Sequence, residues 1–224
     1  MPRHLFVAGT DTGIGKTHGA QALVHAFRLA GERVAGMKPV ASGSARAGGG
    51  GLRNQDALDL QAASLPPPDY ALVNPIALEE AVAPHLAAAR SGVRIAWPPL
   101  DAAFQALTHD YERVVVEGVG GWMVPLGDGM SMEDMPRRWD LDVVLVVGIR
   151  LGCISHARLT ARAIEADGCR LAGWIANVLE PTMPLLEENI ATLRECLPAP
   201  CLGVLPYRVA PASAAVLLDV ASLA

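Results

Sequence analysis

Six short apolar runs punctuate the chain, bounded by Gly, Asn or Pro and separated by stretches whose apolar residues recur every three or four positions. Runs of Val, Ile and Leu without polar alternation suit strands buried on both faces, as in a parallel sheet covered by helices. The pattern predicts strands over Leu5–Ala8, Val34–Lys38, Arg113–Glu117, Val143–Val147, Leu171–Asn177 and Cys201–Leu205. Between the first two, Ala20, Leu23, Val24 and Phe27 share one face at helical spacing, which predicts a helix from about Gly15 to Ala30, stopped by Gly31. Cys153–Ala166 and Leu185–Cys196 read as later helices. The fold class that follows is α/β, a three-layer arrangement with a mostly parallel sheet flanked by helices on both faces.

Two segments break the rhythm. Gly43 to Gly51 offers no core residue and its glycines carry high backbone entropy, so a mobile surface loop is expected there. Leu65-Pro66-Pro67-Pro68-Asp69 reads as a stiffer connector. Neither marks a change of composition and no internal repeat is visible, so residues 1–224 are expected to form a single domain.

Charge narrows the range of partners. A formal net charge of −5 without a long Lys/Arg cluster gives no electrostatic ground for nucleic acid or an anionic membrane, so the expected ligand is small. No apolar stretch is long enough to span a bilayer, and Met1 to Gly9 reads as a first strand rather than a signal peptide. Cys153, Cys169, Cys196 and Cys201 lack paired metal-ligand spacing, so reduced thiols in a cytoplasm are expected.

The candidate chemistry begins at Gly9-Thr10-Asp11-Thr12-Gly13-Ile14-Gly15-Lys16-Thr17, which follows a predicted strand and opens a predicted helix. Glycines there let successive backbone N–H groups turn around phosphates, and the helix dipole adds to the attraction. Lys16 would neutralise the β- and γ-phosphates of a nucleoside triphosphate, and the Thr17 hydroxyl would ligate Mg²⁺. Five residues separate Gly9 from Gly15, one more than the usual phosphate loop has.

Phosphoryl transfer calls for a further acidic ligand at a strand end. Glu117 meets that description: it closes the run Arg113 to Val116 and precedes the glycine turn Gly118-Val119-Gly120-Gly121, where substrate or phosphate can approach the backbone. Asp56 opens a helix-like segment, where a carboxylate also serves as an ordinary dipole and capping choice. Lys38 ends the second strand before Pro39, on the carboxyl edge where open α/β sheets bind ligands.

Four separated motifs together resemble the dethiobiotin synthetase family of P-loop proteins, over nearly the whole chain. They are Gly9 to Thr17, Lys38-Pro39-Val40-Ala41-Ser42-Gly43, Glu117-Gly118-Val119-Gly120-Gly121-Trp122 and Leu151-Gly152-Cys153-Ile154-Ser155-His156-Ala157, supported by Asn54 with Asp56, by Ala83 to Ala88 and by Asn177. The longer phosphate loop is typical of that family. The resemblance implies ligation of 7,8-diaminononanoate with CO₂ by MgATP, through a carbamate and a carbamic-phosphoric anhydride, in a homodimer.

By the same resemblance, Lys38, Lys16, Thr12 and Ser42 would be catalytic, and Thr17, Asp56 and Glu117 would hold Mg²⁺. Gly13, Ile14, Gly15, Lys16, Thr17, Asn177 and Pro206 would bind the nucleotide. Ser42, Gly120, Gly121, Gly152, Cys153, Ile154 and Ser155 would bind the substrate, its carboxylate at the helix start of the last four. Gly13 stands where the family often has Glu, Ser155 where it often has Asn, and Leu205 to Val209 is only loosely like the usual base loop. A partition-type switch ATPase uses a related loop, but its signature lysine would fall five positions before Lys16, where this chain has Asp11.

Overall fold

Strands β1 (Leu5–Gly9), β2 (Val34–Met37), β3 (Arg113–Glu117), β4 (Asp142–Ile149), β5 (Leu171–Val178) and β6 (Cys201–Leu205) form one sheet. Every pairing in it is parallel, and the spatial order is β6-β5-β4-β1-β3-β2. The computed structural model describes residues 4–48 and 50–223. Met1 to Arg3, where the first-strand reading began, Gly49 of the glycine-rich loop and Ala224 lie outside them.

Both faces of the sheet are covered because both faces of its strands are apolar. Leu5 and Val7 of β1, with Val144 and Val146 of β4, pack against α1 (Lys16–Leu29) and α2 (Gln55–Ala63). Phe6 and Ala8, with Leu145 and Val147, point the other way. There they meet α3 (Pro84–Ser91), α4 (Trp97–Asp110), α5 (Cys153–Ala166) and α6 (Leu186–Cys196). Three layers result, as the uninterrupted apolar runs predict.

α1 starts one residue after the predicted boundary and ends one before it, with Ala20, Leu23, Val24 and Phe27 buried as expected. The segment expected to be a mobile loop holds a small antiparallel hairpin instead, Ala45–Arg46 on Leu52–Arg53. Ala47 N–H donates to Gly51 O at 3.1 Å, and Arg46 forms a two-pronged bond with Glu79. Those contacts pin the flanks of the segment, and the Ala45–Arg46 strand is exposed. The Pro-rich connector is tied down at its start, where Leu65 N–H donates to Val34 O at 3.1 Å beside the sheet edge.

Because all six strands run the same way, their carboxyl ends open on one edge. That edge collects the segment after Gly9, Lys38 just beyond β2, Glu117 ending β3, Arg150 beyond β4, Asn177 in β5 and Pro206 beyond β6. Residues as far apart in sequence as Thr10 and Pro206 thereby border one crevice, the usual ligand site of an open α/β sheet.

Candidate active site

The phosphate loop is shaped by two close approaches. Gly15 caps α1 in the left-handed region, φ +84°, and a Cβ there would lie 2.1 Å from Asn177 Nδ2. A Cβ on Gly9 would meet the aliphatic stem of Lys16 at 2.7 Å, so glycine lets that stem fold back over the end of β1. Lys16 is buried, and its Nζ donates to Asp11 O at 2.9 Å, which closes the loop on itself. Burial first, then the charge of Lys38, pulls the Lys16 pKa down to about 8, against the opposing pull of Glu117, Asp56 and Asp11. α1 has no side-chain cap, leaving its first N–H groups open toward an anion.

Asp11 accepts from Thr12 N–H at 2.7 Å and from Arg150 Nη2 at 2.6 Å. The Thr12 N–H foremost, with Arg150 adding to it, holds the Asp11 carboxyl below its ordinary value. Asn177 supports the loop from the opposite flank: its Nδ2 donates to Ile14 O at 2.8 Å and its Oδ1 faces His18 Nδ1 at 3.2 Å. The Ile14 carbonyl only accepts, so the Asn177 amide turns its Nδ2 toward it and its Oδ1 toward the His18 ring.

The charged centre lies on the β2–β3 side of the loop. Lys38 Nζ donates to Glu117 Oε1 at 2.5 Å and to Asp56 Oδ2 at 3.0 Å. Thr17 Oγ1 donates to the same Oε1 at 2.8 Å. Lys38 is 4% exposed and Glu117 1%, so this is a buried cluster, whereas the Asp56 side chain is 44% exposed at its rim. Burial works against the Lys38 ammonium, but Glu117 and Asp56 outweigh it and hold its pKa above the ordinary lysine value. Backbone contacts fix the pieces. Lys38 N–H donates to Val73 O at 2.7 Å, and the buried Asn74 donates to Lys38 O at 2.6 Å. Asn54 caps α2, placing Asp56 in its first turn, while its Nδ2 reaches Ser42 O at 3.2 Å. Tyr70 links the two asparagines, accepting from Asn54 N–H and donating to Asn74 Oδ1.

A cavity of about 390 Å³ unites these parts. Thr12, Gly13, Gly15, Lys16 and Thr17 line one wall, and Lys38, Ser42, Asp56 and Glu117 the other, with Val119 and Gly120 above. Two lysines and two carboxylates in one enclosure make a site for polyanions and a hard cation. Glu117 Oε2 is buried without a hydrogen-bond partner among the described residues, a lone pair suited to Mg²⁺. Among those residues no group of three or more His, Cys, Asp or Glu could cage a metal alone. Two carboxylates and a hydroxyl fit Mg²⁺ that keeps waters and takes phosphate oxygens as its remaining ligands.

An AAA domain family model matches residues 3–212. An ATP-dependent dethiobiotin synthetase BioD of Xanthomonas euvesicatoria is 57% identical over 203 residues, covering 91% of this chain and 90% of that protein. The protein of the same name from Xylella fastidiosa is 54% identical over 202 residues, covering 90% and 89%. The chain belongs to the dethiobiotin synthetase family. Among solved structures, the MinC:MinD cell division complex of Aquifex aeolicus matches with a TM-score of 0.55 at 14% identity, over 92% of this chain and 82% of that one. MinD with Mg-ADP from Pyrococcus horikoshii matches with a TM-score of 0.51 at 13% identity, over the same shares. Those likenesses show the P-loop fold of the dethiobiotin synthetase chain and nothing beyond it.

Not every residue expected at the site lines the cavity. Ile14 is buried beneath the loop, Asn177 braces it from the β5 side, and Pro206 is exposed beyond β6. Gly121 lies behind Gly120, where a Cβ would be 3.9 Å from Gly9 O. Gly152, in the left-handed region at φ +92°, caps α5 and Cys153 is buried under it. Ile154 and Ser155 border a separate depression of about 410 Å³ with Arg158, Leu159 and Arg162. Arg150, Asn74, Tyr70 and His18 were not anticipated. Only Arg150 had a sequence signal, standing directly between the β4 run and the Leu151-Gly152 motif.

Proposed function

We propose that the chain joins 7,8-diaminononanoate and CO₂ with MgATP to form dethiobiotin, ADP and phosphate, as a single domain over residues 1–224. The observation that carries this reading is the pair Lys16 and Lys38 facing one cavity, with two carboxylates and a hydroxyl between them. One substrate amine captures CO₂ as a carbamate, which Lys16, Lys38, Thr12 and Ser42 hold. The carbamate oxygen attacks the γ-phosphorus, ADP departs, and a carbamic-phosphoric anhydride forms. The second amine attacks the activated carbonyl, phosphate leaves and the cyclic urea closes. Both amines belong to one molecule, so closure is intramolecular.

Lys16 and Lys38 offset the charge that gathers between carbamate and γ-phosphate. Thr17, Asp56 and Glu117 would hold Mg²⁺, which supplies neutralisation of the β- and γ-oxygens when bound. The γ-phosphate belongs on the Lys38–Glu117 side, so the nucleoside leaves toward Asn177 and Pro206. Gly13, Ile14 and Gly15 cradle the phosphates, and Asn177 Oδ1 would read the 6-amino group of adenine. Gly120 and Gly121 border the diamine, and the helix start at Gly152, Cys153, Ile154 and Ser155 receives its carboxylate.

That helix start lies apart from the cavity, which supports a homodimer: Leu151 is 94% exposed and Leu159 64%, flanking Ile154 and Ser155. Neither nucleic acid nor membrane is a partner in this reading, and the setting is the cytoplasm. Among the described residues no helix is long and apolar enough to cross a membrane. A partition-type switch ATPase is the weaker reading, because Asp11 faces Arg150 of its own chain where that class needs a lysine. Incubation with labelled bicarbonate and ATP should give acid-stable radioactivity only when the diamine is present. ATP turnover indifferent to the diamine would overturn the proposal.

A further inference from the structure

Lys38 is paired with one oxygen of each of the two carboxylates proposed to hold the metal, while Glu117 Oε2 stays unpaired among the described residues. The Lys38 ammonium donates to Glu117 Oε1 at 2.5 Å and Asp56 Oδ2 at 3.0 Å, and Thr17, the third metal residue, donates to the same Glu117 oxygen at 2.8 Å. Lys16 and Lys38 against Asp56 and Glu117 leave the cavity with no net charge. A free divalent cation entering it would add two positive charges beside a buried ammonium. A triphosphate changes the balance, bringing anions for both cations at once. As the Glu117 and Asp56 carboxylates turn to the metal, Lys38 exchanges them for the new oxyanions.

We infer that Lys38 makes the free protein refuse a bare divalent cation and admit it only together with a polyphosphate. Lysine release and metal entry are thus one exchange. Lys38 is delivered to the reacting oxygens only when nucleotide and metal are both in place. This rests on the proposal that Thr17, Asp56 and Glu117 are the metal residues, and it adds a selectivity which that proposal does not require.

Mn²⁺ binding followed by electron paramagnetic resonance tests it without turnover. The wild-type chain without nucleotide should bind Mn²⁺ weakly, and Lys38→Met should bind it about tenfold tighter or more, as loss of one close like charge implies. Lys38→Arg, which keeps the charge, should stay weak. A non-hydrolysable ATP analogue should tighten Mn²⁺ binding far more in wild type than in Lys38→Met. Equal affinity of Lys38→Met and wild type for Mn²⁺ alone overturns the inference. If Lys38→Met binds more tightly but adding Glu117→Gln leaves that affinity unchanged, the metal lies elsewhere and the underlying site assignment falls instead. Should the variants not fold, the ¹⁵Nζ resonance of Lys38 in the wild type decides. It should ignore Mg²⁺ alone and shift on adding Mg²⁺ with the analogue, and a shift with Mg²⁺ alone refutes the exchange.

Discussion

ATP affinity should depend on pH through Lys16. Burial and the neighbouring Lys38 charge place its pKa in the free protein at about 8. A triphosphate beside the ammonium favours the charged form, so binding raises that pKa. The sign follows from proton counting. Below pH 8 Lys16 is already charged and binding takes up no proton, so affinity is flat. Above pH 8 the free protein has lost the proton and the complex must regain it, so affinity falls as pH rises. For one linked group the dissociation constant grows about tenfold per pH unit beyond the free-state pKa. The value at pH 9 should therefore be about tenfold that at pH 7, with about 0.9 proton taken up per ATP at pH 9.

Calorimetry in buffers of different ionisation enthalpy measures both quantities on the wild type. Lys16→Met is the control: its ATP binding should be weaker throughout and lack the slope. Lys38 does not supply a competing slope, because its carboxylate partners hold its pKa above the ordinary lysine value. A dissociation constant unchanged from pH 7 to pH 9.5, or an equal slope in Lys16→Met, would refute the assignment of Lys16 as the phosphate-binding cation.

Three further outcomes follow from the loop and its supports. Gly15→Ala forces an L-residue to φ +84° and puts a Cβ 2.1 Å from Asn177 Nδ2, so fluorescent-ATP titration should show a loss of about a hundredfold or more, and binding within threefold of wild type would contradict this. Asn177→Ala strips the Ile14 carbonyl of its donor, which costs about 1–3 kcal/mol. It should also erase a preference for ATP over ITP measured as kcat/KM, and a wild type that treats both nucleotides alike would exclude adenine reading by Asn177. Trp122→Phe removes the 2.7 Å bond from Trp122 Nε1 to Asp167. Thermal melting should record a loss of about 1–2 kcal/mol, and an unchanged melting temperature would mean the bond does not anchor the glycine turn.

The strands were legible because burial on both faces leaves no polar alternation to confuse the signal, and β1 to β6 fall where their apolar runs lie. α4 escaped notice for an opposite reason. Leu100, Ala103, Phe104 and Leu107 are as periodic as the buried face of α1, but they follow Trp97-Pro98-Pro99. Paired prolines read as a break, whereas in the first turn their missing N–H groups cost the helix nothing. In Gly43 to Gly51 the glycine entropy is visible in sequence, but the Ala45–Arg46 pairing with Leu52–Arg53 and the Arg46–Glu79 contact are not.

Within the site, Lys38 and Glu117 were legible because each ends an apolar run, so parallel strand direction alone carries them to one edge. Asp56 was ambiguous because a helix start accounts for a carboxylate equally well. Arg150 and Asp11 lie 139 residues apart, and no periodicity connects them. Asn74 looks like any polar residue before a proline until the fold brings it to Lys38 O, 36 residues away.

The contacts that sequence could not reveal hold the loop in its shape. Lys16 has Asp11 O as a stand-in acceptor, and Lys38 has Glu117 and Asp56. Neither ammonium is free to swing through the cavity, so little reorganisation remains when phosphate oxygens replace those acceptors. Arg150 holds the Asp11 end of the loop and Asn177 the Ile14 end, from strands on the far side of β1 from Lys38. The β2–β3 side thus contributes charge and the β4–β5 side contributes support. A switch ATPase built on the same sheet would need the Asp11 position to act outside its own chain. Here the Asp11 carboxylate is committed to Arg150 and its carbonyl to Lys16, which suits a loop that stays in place and does chemistry.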